Sequence, residues 1–293
     1  MRLLNRFAAV LSCVIWISCT PEAPVAPPPP AALTDTTIRD MAYGSNAAQK
    51  FDLGLPANRT AATALVIVIH GGGWSTGDKN ELGFMVDGLK QRGFAVANMN
   101  YRLSPQTADN YAMQLDDIDA AIQFAFTKAA TYTFNAQKVY IVGHSAGAHL
   151  ALAYSYTRNS AGKVKAVGAM AAPSNLFSAA YYNPFPGDWQ TILGSFLNMP
   201  LFPITAASEA RYKNCSPFYQ ATATVPPTIL FHGDADPRVP IDQSASLYTQ
   251  LGSLGVDKKY IVYSPFVFHD WWADIAKRNN TLDELKLWFT NHP

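Results

Sequence analysis

The run Val-Tyr-Ile-Val-Gly-His-Ser-Ala-Gly-Ala-His-Leu-Ala-Leu-Ala at 139–153 constrains this chain more than any other stretch. Residues 139–142 read as a buried parallel strand, and 146–156, rich in Ala and Leu, read as a helix. Ser145 stands at the turn between them. So abrupt a passage from strand to helix crowds the backbone, and Gly143 and Gly147 remove the side chains that would collide there. Ser145 is then expected in a strained conformation at the carboxyl end of the strand, hydroxyl outward, with the positive end of the helix beneath it. Gly-x-Ser-x-Gly is short enough to arise by chance. The strand before it and the helix after it favour a nucleophile over an ordinary turn.

The remaining segments supply a sheet for this turn. Residues 36–43 and 49–55 alternate like strands around a turn at 44–46, an antiparallel start to the sheet. Continuous apolar strands are expected at 64–69 and 93–99 and further strands at 164–170, 228–232 and 259–263, with helices at 82–91, 110–128, 243–251 and 282–291. In the second helix Leu115, Ile118, Ile122 and Ala125 share a face, Asp116 and Asp119 point to solvent, and Asp117 braces a neighbouring loop. Strands alternating with helices imply a mainly parallel sheet covered on both faces. The section 174–225 departs from this rhythm. It is rich in aromatic residues and proline, including Phe177, Tyr181, Tyr182, Phe185, Trp189, Phe196, Phe202, Tyr212, Phe218 and Tyr219. It is too apolar for disorder and reads as a small cap beside the site, with about half of its rings packing on the sheet.

The amino terminus carries different signals. Arg2 and Arg6 precede an apolar run at 7–17, followed by Ser18 and Cys19, the order of an export signal at 1–19. The run is short for a membrane span. Cys19 stands where a bacterial lipoprotein signal places its lipidated cysteine, although Trp16 occupies a position where Leu is usual, and Cys13 is a weaker candidate. A cleaved signal without lipid is the alternative. The proline-dominated stretch at 20–34 reads as an extended spacer that would hold a domain at 35–293 away from a membrane surface. Beyond it only Cys215 remains, which leaves no pair for an internal disulfide. A net charge of +1 with 15% charged residues gives no basic field for nucleic acid.

Three further groups complete a site. His70-Gly71-Gly72-Gly73-Trp74 follows the strand at 64–69, and consecutive glycines let backbone N–H groups approach a ligand closely. No Gly-Lys-Ser/Thr follows, which disfavours a phosphate loop. Gly72, Gly73 and Ala146 are the candidate oxyanion-hole donors. Of the six histidines, His269 alone lies in a loop after the last strand and before the final helix, where a base could reach Ser145. The third partner is sought in His232-Gly233-Asp234-Ala235-Asp236-Pro237. Asp236 is favoured, because it lies deeper in the loop and a proline fixes the chain after it. Asp234 is assigned to shaping the turn, and Asp270 is a poor third choice.

With these residues in hand, the chain after residue 34 resembles the α/β-hydrolase superfamily. The order Ser145, Asp236, His269 and the upstream glycine loop match its pattern. His-Gly-Gly-Gly-Trp, Asn-Tyr-Arg-Leu-Ser-Pro at 100–105 and Gly-His-Ser-Ala-Gly-Ala-His resemble the esterase/lipase branch, which includes hormone-sensitive-lipase-like carboxylesterases and feruloyl or acetyl-xylan esterases. The same motifs are similar to kynurenine formamidase. The resemblance implies a Ser-His-Asp carboxylesterase acting on a small-molecule or polysaccharide-linked ester, without metal or cofactor, or alternatively a formamidase. A peptidase or a catalytically silent binding fold is disfavoured, the first by chain length and the second because every triad position is filled.

Overall fold

The computed structural model describes residues 33–105, 108–178, 188–199 and 203–293. The expected export signal at 1–19 and nearly all of the spacer at 20–34 lie outside these residues. So do rings 181, 182, 185 and 202 and the side chain of Trp189.

Among the described residues, eight strands form one sheet: β1 (Thr36–Ala42), β2 (Lys50–Leu55), β3 (Leu65–Ile69), β4 (Ala95–Met99), β5 (Val139–His144), β6 (Val164–Met170), β7 (Thr228–Gly233) and β8 (Lys258–Tyr263). Their order is β1-β2-β4-β3-β5-β6-β7-β8. β1 and β2 pair antiparallel, as do β2 and β4, and every later pair is parallel. The chain leaves β3 outward to β4 through α1 (Gly83–Gln91). It then returns across β3 to β5 through α2 (Tyr111–Tyr132). Strand order therefore reverses between β3 and β5, the place where open parallel sheets leave a crevice at their carboxyl ends. Register puts Ile69 opposite Gly143, so the segments after β3 and β5 emerge side by side.

Both faces of the sheet are covered, which is why β3 reads Leu-Val-Ile-Val-Ile with every residue buried. Leu65, Ile67 and Ile69 enter one core with Leu115 and Ile118 of α2 and Leu150 of α3 (Ala146–Thr157). Val66 and Val68 enter the other with Met85 and Leu89 of α1 and Leu285 and Phe289 of α8 (Ile275–Asn291).

Two expectations need correction. The final helix begins at Ile275, not 282. After an exposed Ile275 and Ala276 its first two turns are polar and carry no apolar stripe, but Asp274 caps them by accepting from the Ala276 N–H at 2.9 Å and the Lys277 N–H at 3.2 Å. Asp119 is not left to solvent, since it accepts the Tyr154 hydroxyl at 2.8 Å. The segment after β6 holds helices α4 (Asp188–Leu197), α5 (Ala206–Asn214) and α6 (Pro217–Gln220) before β7. α7 (Asp242–Ser253) joins β7 to β8. Phe196 and Tyr212, within the aromatic section, are buried in the main core.

Candidate active site

The turn after β5 is fixed by steric exclusion of side chains. A Cβ on Gly143 would lie 2.3 Å from the Gly147 carbonyl oxygen, and one on Gly147 would lie 2.2 Å from that of His70. No side chain fits at either position. Ser145 between them has φ 53 and ψ −122, outside the ordinary basins of a non-glycine residue. Its N–H donates to Met170 at 2.8 Å and its carbonyl accepts from His149 N–H at 3.0 Å, which hold the strain in place.

The glycine loop lies against this turn. Gly72, Gly73 and Trp74 all have positive φ, at 105, 57 and 64. The Gly72 carbonyl accepts from the Ser75 N–H at 3.2 Å, the Thr76 N–H at 2.9 Å and the Thr76 hydroxyl at 2.8 Å. Because the peptide is planar and trans, the Gly73 N–H points away from that turn. Ala146 is the first residue of α3, and a first-turn N–H has no partner within its own helix. The 100–105 motif braces the loop from behind. Tyr101 stacks on the His70 ring with centroids 4.5 Å apart, and the Ser104 N–H donates to the Trp74 carbonyl at 2.8 Å. Asp117 anchors that motif, accepting the Arg102 N–H and the guanidinium at 2.8 and 2.9 Å.

The segments after β7 and β8 meet across the next strands. His269 donates from Nδ1 to the Asp236 carboxylate at 2.6 Å, and both side chains are buried. The other carboxylate oxygen accepts from the Arg238 and Val239 N–H groups at 2.8 and 2.9 Å, consistent with a loop held by the proline between them. Burial pushes the Asp236 carboxyl up, but hydrogen bonds from His232 and His269 outweigh it and hold the group far below the usual carboxylate range. Asp234 shapes the junction: its carboxylate accepts the Val267 N–H at 2.8 Å, tying the loop before His269 to the one carrying Asp236. Asp270 is half exposed and stands 3.7 Å from His144 Nε2.

The sequence reading missed two histidines. His232, fully buried at the end of β7, lies 3.3 Å from the same Asp236 oxygen that holds His269, with its Nδ1 2.7 Å from the Ser244 hydroxyl. The His-Gly pair closing a strand was the available signal. His149, one turn into α3, contacts Trp74 of the glycine loop at 3.1 Å. Its partner lies 75 positions away, so no local pattern exposed it.

Gly72, Gly73, Ser145 and His269 line one cavity of about 1040 Å³, with Ile192 of α4, Arg238 and Trp272 around them. Among the described residues, one set of metal-binding types converges, His144, His269 and Asp270, with donor atoms within 4.8 Å of one another. His269 Nδ1 is committed to Asp236, and His144 Nε2 faces the His269 carbonyl at 3.3 Å. Burial and the neighbouring His269 ring push His144 well below the ordinary imidazole range, so it packs as a neutral ring.

A strand–Ser–helix turn at the switch point of a parallel sheet, beside a glycine loop and a carboxylate-held histidine, defines the α/β-hydrolase class. The chain belongs to the family described as BD-FAE, which it matches over residues 51–251. It is 26% identical over 237 residues to the isoprenylcysteine alpha-carbonyl methylesterase of Arabidopsis thaliana, covering 77% of this chain and 55% of that protein. It is 31% identical over 169 residues to the kynurenine formamidase of Danio rerio, covering 56% and 51%. The chain spans about half the length of these curated relatives. Among solved structures, esterase B from Lactobacillus rhamnosis shares the fold with a TM-score of 0.71 at 22% identity, over 87% of this chain and 86% of that one. The likeness to esterase B is one of fold.

Proposed function

We propose that this protein is a serine hydrolase that cleaves carboxylic esters through an acyl-enzyme, with Ser145 as nucleophile, His269 as base and Asp236 as the acid that orients it. The observation that carries the reading is the 2.6 Å bond from His269 Nδ1 to Asp236, which leaves Nε2 as the basic nitrogen in the cavity that Ser145 also lines. His269 Nε2 takes the Ser145 proton as the oxygen attacks the ester carbonyl. Asp236 fixes the tautomer and stabilises the imidazolium. The carbonyl π electrons move to oxygen, and the Gly72, Gly73 and Ala146 N–H groups receive the oxyanion. Collapse of the tetrahedral species expels the alcohol, protonated by His269. Water then repeats the attack on the acyl-Ser145, releasing the carboxylic acid and free serine.

The similarity to kynurenine formamidase keeps a second substrate class in view, since hydrolysis of a formamide uses the same groups. Turnover of p-nitrophenyl acetate, N-formylkynurenine, feruloyl and acetylated-xylan substrates compared side by side separates the two. Ester turnover with fluorophosphonate labelling of Ser145 is the expected result, and turnover of the formamide alone would replace the ester reading.

We further propose that the chain is exported and tethered through a lipidated Cys19. The basic and apolar leader and the proline stretch after it support this reading. Stable anchoring needs more than one acyl chain. Mass spectrometry of the mature amino terminus is expected to show acylated Cys19, and an unmodified terminus in the soluble fraction would leave a plain secretory signal.

A further inference from the structure

Trp74 follows the three glycines directly and is held on every side. It is fully buried with φ 64. Its ring lies flat on Phe196, centroids 4.2 Å apart. Its carbonyl accepts from Gln114 Nε2 at 2.9 Å as well as from Ser104. Its indole N–H ends 3.1 Å from His149 Nδ1. An indole nitrogen can only donate, so Nδ1 is bare and the proton of His149 sits on Nε2, where it donates to the Cys215 carbonyl at 2.7 Å. Two partners thereby fix one neutral tautomer. The backbone N–H of the same residue donates to Ser145. His149 is thus the point at which the helix behind the serine, the glycine loop and the segment ending α5 are joined.

We propose that His149 is a positioning residue for the oxyanion loop: by accepting the Trp74 indole N–H it pins the far end of the three-glycine run and sets where the Gly72 and Gly73 N–H groups stand relative to Ser145. The proposal rests on the ester-hydrolase reading above. Three consecutive glycines have little conformational preference of their own, so the loop takes its shape from the residues at its ends. Donors aimed at a developing oxyanion act mainly in the transition state, so a loosened loop lowers kcat while substrate binding survives. Burial pushes the His149 imidazole down to about 4, which keeps Nδ1 an acceptor across the neutral range.

The test uses Trp74→Phe, which keeps a ring on Phe196 and deletes the donor, with two replacements at 149. Asn places an amide oxygen near the Nδ1 position, and Gln places an amide N–H near Nε2. With p-nitrophenyl acetate, Trp74→Phe and His149→Gln are expected to lose roughly tenfold in kcat with KM within about twofold, while His149→Asn stays within about threefold of wild type. The double variant Trp74→Phe/His149→Gln should lose no more than the worse single one, because both remove the same bond. Affinity for a trifluoromethyl ketone, whose adduct carries the oxyanion, should weaken by the same factor as kcat/KM. Unchanged kcat in Trp74→Phe, additive losses, or equal losses for Asn and Gln would overturn the proposal. Trp74→Phe carries the test if thermal melts show the His149 variants unfolded. A wild type that neither turns over nor labels at Ser145 overturns the hydrolase reading and this proposal together. An active wild type with unaffected variants overturns this proposal alone.

Discussion

The turn at Ser145 and the helical section after β6 differ in what holds them. Around Ser145, backbone meets backbone: Gly143 against Gly147, and Gly147 against His70, at distances that admit no Cβ. In the later section the contacts are made by side chains, Phe196 on the Trp74 ring and the Tyr212 hydroxyl on the Met199 backbone carbonyl at 2.7 Å. Backbone contacts dictate residue identity, because only glycine fits. Side-chain packing dictates only volume and polarity, which several residues can satisfy. The first region carries the proposed chemistry, and the second shapes the space around it.

The largest effect expected is on chemistry without fold. Ser145→Ala should lower kcat by roughly 10⁴-fold or more at unchanged circular dichroism, and wild-type turnover would remove the serine from its proposed role. Asp236→Asn should cost about 10³- to 10⁴-fold, because an amide cannot hold His269 in the productive tautomer. Asp234→Asn, at a carboxylate that accepts the Val267 N–H, should cost less than about tenfold. A larger loss at 234 than at 236 would reverse the assignment of the acid.

Gly147→Ala sharpens the contrast from the side of stability. Its new Cβ would meet two backbone carbonyls, so a loss of more than about 4 kcal/mol is expected in chemical denaturation. Tyr212→Phe, in the other region, removes one hydroxyl bond and should cost about 1 kcal/mol while turnover stays at the wild-type level. Similar losses from the two substitutions would erase the distinction.

Acidity tests the buried imidazoles that surround both regions. Burial lowers His70, His144 and His149 below the ordinary value of 6.5, His149 to about 4. The unfolded chain therefore binds more protons than the folded one between these limits, and stability is lost as pH falls from 6.5 towards 4. His149 alone contributes on the order of 3 kcal/mol to this loss. Thermal melts across the window should show a falling Tm, and a flat Tm would contradict neutral burial.

Much of this was legible because periodicity and glycine carry it. The strand at 64–69 stands out as an apolar run since both its faces are covered, and the turn at 145 stands out because its glycines are sterically required. The start of α8 did not, because its first turns are polar and depend on a single Asp cap. Asp234 and Asp236 could be ranked by loop depth, but the carboxylate shared by His232 and His269 joins residues 33 positions apart and exists only after folding. The helices α4, α5 and α6 were not legible, because proline and aromatic residues interrupt any helical period in that section.

The strand order also bears on how the protein behaves in a crowded solution. β1 and β8 stand at the two ends of the sheet, and an unprotected edge is a template for pairing with another copy. β1 is interrupted by a bulge between Ile38 and Met41, where Asp40 turns to φ 53 and joins Lys79 in an ion pair at 3.1 Å. β8 opens with Lys258 and Lys259, the second held by Glu284 at 2.6 Å. Charge at one end and a break in register with charge at the other make strand-by-strand stacking of one copy's sheet on another's costly.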